Sequence, residues 1–290
     1  MSRAQKLNVQ GLARRDKGLM SSLLPPPGYV FVSIDLSSGE PTVTGEFSKD
    51  KNYLYATVDG VGQPPEYRNG ILMLDDIYLM TASVSPLARQ EVWDKFHKAS
   101  FDGKSFAEMW VSDSDRVRSE FKHTRTMHKR LCLGLGYGMG PQKMVTSMYE
   151  TGYSLDFKTA KQFQKVYWEL FSGVRRFADK LSLEMESQGQ IINPFGYRLT
   201  CAPNKAYNYF CQSSVSGIMH VFGAKLFSAA PWARFVVLIH DEFIVAVPED
   251  RVEEFKKIKD LATDSLNADL GWEVKIRTGF VPGDSLYTAK

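Results

Sequence analysis

Cysteine is scarce in this 290-residue chain: Cys132, Cys201 and Cys211 are scattered, and no CxxC spacing occurs. That excludes a disulfide framework and a cysteine-based metal site, and it fits a reducing compartment. No apolar run approaches membrane-spanning length, and the first residues, MSRAQKLNVQGLARRDKG, are polar and basic where a signal peptide would be apolar. A cytoplasmic protein is expected. Internal repeats and low-complexity tracts are missing too, which excludes a solenoid or a linker-dominated chain. A strong charge of one sign is lacking as well: the net charge is +3, so any case for a nucleic-acid partner has to rest on local clusters.

What is present is a globular composition, 43% hydrophobic and 24% charged, in a chain long enough for one sizeable domain or two smaller ones. Tyr29 to Leu36 reads as a strand entered through the stiff Pro25-Pro26-Pro27-Gly28 connector. Helix-rich sequence follows from about Ile77 to Gln188. Within it Phe157, Ala160, Phe163, Val166, Tyr167 and Leu170 recur at helical spacing, Ser172-Gly173 breaks the pattern, and Gly189 stops its continuation. Pro194-Phe195-Gly196 reads as a hairpin turn between Ile191 and Thr200. Helices are expected from about Ala206 to Ala229 and from about Glu249 to Leu270, the second followed by a strand over Trp272–Arg277.

Two acidic features interrupt apolar runs. His240-Asp241-Glu242 lies between Phe235-Val236-Val237-Leu238-Ile239 and Phe243-Ile244-Val245-Ala246-Val247, a pattern that folds into a hairpin with carboxylates at its tip. On this stretch alone a solvated turn explains the acids as well as a functional site does. Asp35 ends a second apolar strand far away in sequence, and two such acids call for solvent, hydrogen bonds or a metal.

Arg125, Lys129, Leu133 and Tyr137 are spaced four apart and share one helix face. Two cations followed by an apolar and an aromatic surface suit the phosphates, sugar and base of a nucleoside triphosphate. An ordinary solvated helix face would account for Arg125 and Lys129 alone. It accounts poorly for Gly134, Gly136 and Gly138, which weaken a helix and signal close approach of another group.

In these three places the chain resembles family A DNA polymerases, the bacterial DNA polymerase I type. Asp35-Leu-Ser-Ser-Gly-Glu40 is similar to the family's motif A, D-Y-S-x-x-E. Arg125, Lys129, Leu133-Gly134 and Tyr137-Gly138 are similar to motif B, R-x3-K-x3-F/Y-G-x2-Y-G, and His240-Asp241-Glu242 stands where motif C has H-D-E. Three motifs in the family's order make a specific signal. Asn8-Val9-Gln10, Gly196-Tyr197-Arg198 and the pair Asn208 and Gln212 are weaker echoes.

The resemblance implies an α+β polymerase palm with an antiparallel sheet and a helical fingers subdomain. The implied organisation is a palm over residues 1–61 and 190–290, with fingers over 62–189. It also implies template-directed DNA synthesis on primer-template DNA with dNTP, two Mg²⁺ ions held by Asp35 and Asp241, and Glu242 as an auxiliary carboxylate. Lys129 and Arg125 are expected on the triphosphate, Leu133 and Tyr137 in the nucleotide pocket, and Glu40 as the group that excludes ribonucleotides. Asn208, Gln212, Arg198 and His240 are expected on DNA.

Leu133 replaces an aromatic residue of the family, and Pro41-Thr42 replaces a Leu-Arg pair. Residues from about 85 to 115, rich in aromatics, read as an insertion in the fingers that packs on its own subdomain or on a partner. Almost nothing precedes Asn8-Val9-Gln10, where members carry a thumb and often a 3′–5′ exonuclease. These parts are expected on a separate polypeptide, as in a split phage-like polymerase working in its host's cytoplasm; a truncated chain would give the same sequence. The competing readings are a single-subunit RNA polymerase or reverse transcriptase, and a non-catalytic DNA-binding subunit on the same scaffold.

Overall fold

The computed structural model describes residues 17–239 and 241–289, which fall into two compact units. One is Val43–Gln212; the other combines Met1–Thr42 with Ser213–Lys290. Asn8-Val9-Gln10 and His240 lie outside the described residues.

Val43–Gln212 is mainly helical, and buried carboxylates set where its helices begin. Asp76 caps α1 (Ile77–Val84) by accepting from the Tyr78 and Leu79 amides. Asp50 serves two helices at once: Oδ1 accepts from Tyr53 N at 2.9 Å and Oδ2 from Gly173 N at 2.6 Å. This explains the break at Ser172-Gly173, because a Cβ on Gly173 would lie 2.8 Å from Asp50 Cβ. Helices Phe157–Leu170 and Ser172–Gln188 flank that joint, and Gly189 ends the second with φ of 71°. In the same unit, α2 (Lys122–Gly136) buries His128, Leu131, Cys132 and Leu135, the last three in a core shared with Leu79, Met80, Phe163, Tyr167 and Phe171.

The segment from about 85 to 115 folds as a helix, Arg89–Lys98, a small hairpin and the start of a second helix, Phe106–Glu120. Val92, Phe101, Phe106, Met109 and Trp110 belong to the core of Val43–Gln212 itself, so these aromatics pack within their own unit, while Trp93 is 43% exposed. The expected hairpin between Ile191 and Thr200 forms as well, with Ile191 paired to Leu199 and Ile192 to Arg198.

α3 (Ala206–Ala229) follows the limits that its sequence predicts. In the second unit, β1 (Tyr29–Asp35), β2 (Arg234–Ile239), β3 (Glu242–Pro248) and β4 (Val281–Gly283) form an antiparallel sheet in the order β4-β1-β3-β2. β3 is central, and its apolar run Phe243–Val247 is fully buried. α3 packs closely on it: Phe222 and Phe227 lie against the Phe243 ring, and a Cβ on Gly223 would come within 2.8 Å of that ring. α4 (Val252–Leu270) buries Phe255 and Leu266. The protein is thus α+β, with small antiparallel sheets.

The strand expected over Trp272–Arg277 is not formed. The Asn267 side chain takes both backbone groups of Ile276, accepting from its N at 2.7 Å and donating to its O at 2.9 Å, so a side chain replaces the ladder there. The strand lies further on, as β4, paired to Phe31–Ser33.

His128 is fully buried beside Phe163, its Nδ1 2.8 Å from Thr124 O, and burial lowers its pKa to about 4. The unfolded chain, titrating near the ordinary 6.5, binds the extra proton first, so the stabilisation is complete above pH 6.5 and is lost as pH falls towards 4. Denaturant unfolding should show wild type losing about 2 kcal/mol more than His128→Leu between pH 7 and pH 5.

Candidate active site

The ladder between β1 and β3 brings the predicted acids to one place. Tyr29 is opposite Pro248, and six residues later Asp35 is opposite Glu242. Ile239 pairs with Glu242 across the β2–β3 hairpin, with Asp241 in the turn before Glu242. Leu36 N donates to Asp241 O at 2.9 Å, so the end of β1 is bonded to that turn. Asp35 is exposed and Asp241 half-buried.

Glu242 differs from both. Only 5% exposed, it accepts a 2.6 Å hydrogen bond from Ser33 Oγ. Ser33 and Asp35 are two apart on one strand and Glu242 is the cross-strand partner of Asp35, so all three project from the same sheet face. Like charges directly opposite destabilise a ladder, and the Ser33 hydroxyl neutralises part of that cost by drawing on one Glu242 oxygen.

The chain leaves β1 through Leu36-Ser37-Ser38, with Ser38 at a positive φ of 59°, and enters the helix Gly39–Ser48. Glu40 stands in its first turn, where a negative charge suits the helix dipole. Pro41 is also in the first turn, where its missing N–H removes no helical bond. On the other side of β1, Ser37 N donates to Arg277 O at 2.9 Å, Leu36 bridges to Thr278, and Gly279 N donates to Asp35 O at 2.8 Å.

The motif B residues belong to the other unit. Arg125, Lys129 and Leu133 follow one another along α2, and Tyr137 caps its end. Both cations lie over the Tyr78 ring, at 5.2 Å for Arg125 and 5.9 Å for Lys129. Arg125 Nε also donates to the buried Asp76 at 2.6 Å, whereas Lys129 is exposed. Leu133 is half-buried and Tyr137 is 41% exposed. The groups that approach the glycines are this unit's own. Met139 Cε would be 2.6 Å from a Cβ on Gly134, Tyr207 would be 3.3 Å from one on Gly136, and Asn204 O would be 2.8 Å from one on Gly138, whose φ is 74°.

Asn208 and Gln212 are one turn apart on α3, with Gln212 exposed and Asn208 Oδ1 buried without a partner. Arg198 is exposed on its short hairpin strand.

A family model for DNA polymerase family A matches residues 104–285. The chain belongs to DNA polymerase family A. It is 27% identical over 246 residues to a DNA polymerase of Mycobacterium phage D29, covering 84% of this chain and 33% of the relative. It is 26% identical over 186 residues to the thermostable DNA polymerase I of Thermus filiformis, covering 59% of this chain and 22% of the relative. The chain therefore spans at most about a third of these curated relatives. Its fold is similar to the POL domain of Pol1 from M. smegmatis in complex with DNA primer-template and dNTP. The TM-score is 0.71 at 16% identity, over 97% of this chain and 45% of that one.

Sequence reasoning missed Ser33, Asp76, Tyr78 and Gly279. A lone hydroxyl inside the apolar run of β1 marks Ser33, and an Asp just before an apolar helix marks Asp76 as a cap. Tyr78 and Gly279 carry no comparable local signal.

Ser33→Ala removes the hydroxyl donor from a buried carboxylate. It should lower unfolding free energy by about 1–3 kcal/mol in urea titrations.

Proposed function

We propose that this chain performs the nucleotidyl-transfer step of template-directed DNA synthesis, adding dNMP to a primer 3′-hydroxyl. The observation that carries the reading is the Asp35–Glu242 register, which sets two solvent-accessible acids, Asp35 and Asp241, at adjoining strand ends.

Their chemistry fits a hard divalent cation, since carboxylate oxygens with room for water and phosphate oxygens are what Mg²⁺ prefers. Asp35 and Asp241 are the residues that would hold two Mg²⁺ ions. Bound there, the ions would supply charge neutralisation at the attacking and leaving oxygens. Glu242, buried and hydrogen-bonded to Ser33, is assigned a supporting role rather than a place as a primary ligand.

Lys129, exposed at one end of the Tyr78 ring, is assigned to neutralising triphosphate charge. Arg125, oriented by Asp76, is assigned to the γ-phosphate side. Leu133 and Tyr137 are assigned to the wall of the nucleotide pocket, and Glu40 to excluding a ribose 2′-hydroxyl. Asn208, Gln212, Arg198 and His240 are assigned to primer-template DNA. A palm of residues 1–61 and 190–290 with fingers of 62–189 is proposed on the same footing.

A separate polypeptide supplying a thumb, and a 3′–5′ exonuclease with it, is proposed as the partner, and the host cytoplasm as the place of action. Among the described residues no helix is long and apolar enough to cross a membrane.

Primer extension with Mg²⁺ tests the reading. Asp35→Ala and Asp241→Ala should each lower the rate about 10³-fold or more while DNA binding by fluorescence anisotropy stays near wild type. Wild-type turnover in either variant would falsify the metal assignment. In the same assay Glu40→Ala should narrow the preference for dNTP over rNTP, and no change would remove Glu40 from that role. Robust, processive extension by this chain alone would count against a required partner.

A further inference from the structure

The acid at the end of β1 occupies space that a side chain on residue 279 would fill. An ideal Cβ on Gly279 would lie 1.9 Å from Asp35 Oδ1 and 3.1 Å from Asp35 Cγ. Gly279 is not in the left-handed region, so its backbone conformation does not ask for glycine. Among the described residues, its chain neighbours aside, the Asp35 carboxyl is the only group within 3.4 Å of that missing side chain.

Backbone bonds explain why neither partner can drift away. Gly279 N donates to Asp35 O at 2.8 Å, Leu36 bridges to Thr278, and Ser37 N donates to Arg277 O at 2.9 Å. Residues 277–279 thus form a strap tied along the end of β1. From this juxtaposition we infer that Gly279 is a positioning residue, whose missing side chain leaves the room that the Asp35 carboxylate's orientation requires. The inference rests on the proposed metal role of Asp35.

Gly283 gives the contrast. A Cβ there would collide with the backbone of Thr288 and Ala289, at 2.4 Å and 2.2 Å, so any larger residue would displace the chain itself. At Gly279 the colliding atoms are the far end of a side chain, which can rotate at modest cost. Gly279→Ala is therefore a substitution that leaves the fold in place and moves one carboxylate. A misplacement of about 1 Å among reacting groups costs about 10²-fold in rate.

The test uses the full chain, with primer-template DNA and any partner that activity requires. Gly279→Ala should lower kcat about 10²-fold, with KM for dNTP and affinity for DNA near wild type. With a dideoxy-terminated primer and dNTP, Mn²⁺ binding followed by electron paramagnetic resonance should weaken about tenfold or more, equivalent to one substantial ligand interaction. A purely structural role would leave Mn²⁺ affinity unchanged. Thermal unfolding supplies a second measurement, through the double variant Asp35→Ala/Gly279→Ala. Any loss of stability caused by Gly279→Ala should disappear once the Asp35 carboxyl is gone.

Wild-type kcat and Mn²⁺ affinity in Gly279→Ala, alongside an inactive Asp35→Ala, would overturn this inference and leave the proposed function standing. An equal loss of stability in both backgrounds would overturn it also. Full activity in Asp35→Ala would remove the metal reading and this inference with it.

Discussion

The pairing of β1 with β3 is the interaction on which the rest depends. It is a seven-residue ladder from Tyr29–Pro248 to Asp35–Glu242, and it joins segments more than two hundred positions apart. Strand side chains alternate between faces, so a slip by one residue would invert every one of them. The buried run of Phe31, Val32 and Ile34 against Ile244, Val245 and Ala246 makes that slip costly. The same register places Asp35 beside the Asp241 tip. Apolar burial therefore fixes the position of two acids that contribute nothing to the core themselves.

The helical unit uses its acids differently. Asp50 and Asp76 are 5% exposed each, and both are held by several donors at once. A buried carboxylate is tolerated where it accepts from helix N-terminal amides or faces a guanidinium, and each of these does so. Asp76 does both, capping α1 while holding Arg125 Nε at 2.6 Å. A structural cap and the orientation of a phosphate-binding candidate are thus one contact, and a change at position 76 disturbs them together.

Much of this was legible in the sequence because it was written in period and punctuation. The helix from Ala206 to Ala229, the break at Ser172-Gly173, the stop at Gly189 and the β2–β3 hairpin all follow from apolar spacing and from residues with restricted backbone preferences. The strand expected over Trp272–Arg277 failed for a reason no local pattern contains: Asn267, nine residues earlier than Ile276, takes that residue's backbone groups. The glycines after Leu133 signalled a close approach correctly, yet the approaching groups are Met139, Tyr207 and Asn204. Local sequence marks that space is short; it does not name the atom that fills it. For the candidate site, the acids and cations were legible as residue types at fixed spacing. Ser33, Tyr78 and Gly279 matter only through contacts made by folding.

The three acids near the hairpin tip also show how one register gives chemically different groups. Asp35 and Glu242 are direct cross-strand partners, an arrangement that two carboxylates alone make unfavourable. Ser33 engages Glu242 on the buried side, while Asp35 is kept at the surface with the strap of residues 277–279 beside it. Repulsion between them is relieved on one side by a hydroxyl and on the other by solvent. Replacing Asp35 by a neutral residue should remove that repulsion, and the loss of a candidate ligand would then come with a gain in stability of the empty protein.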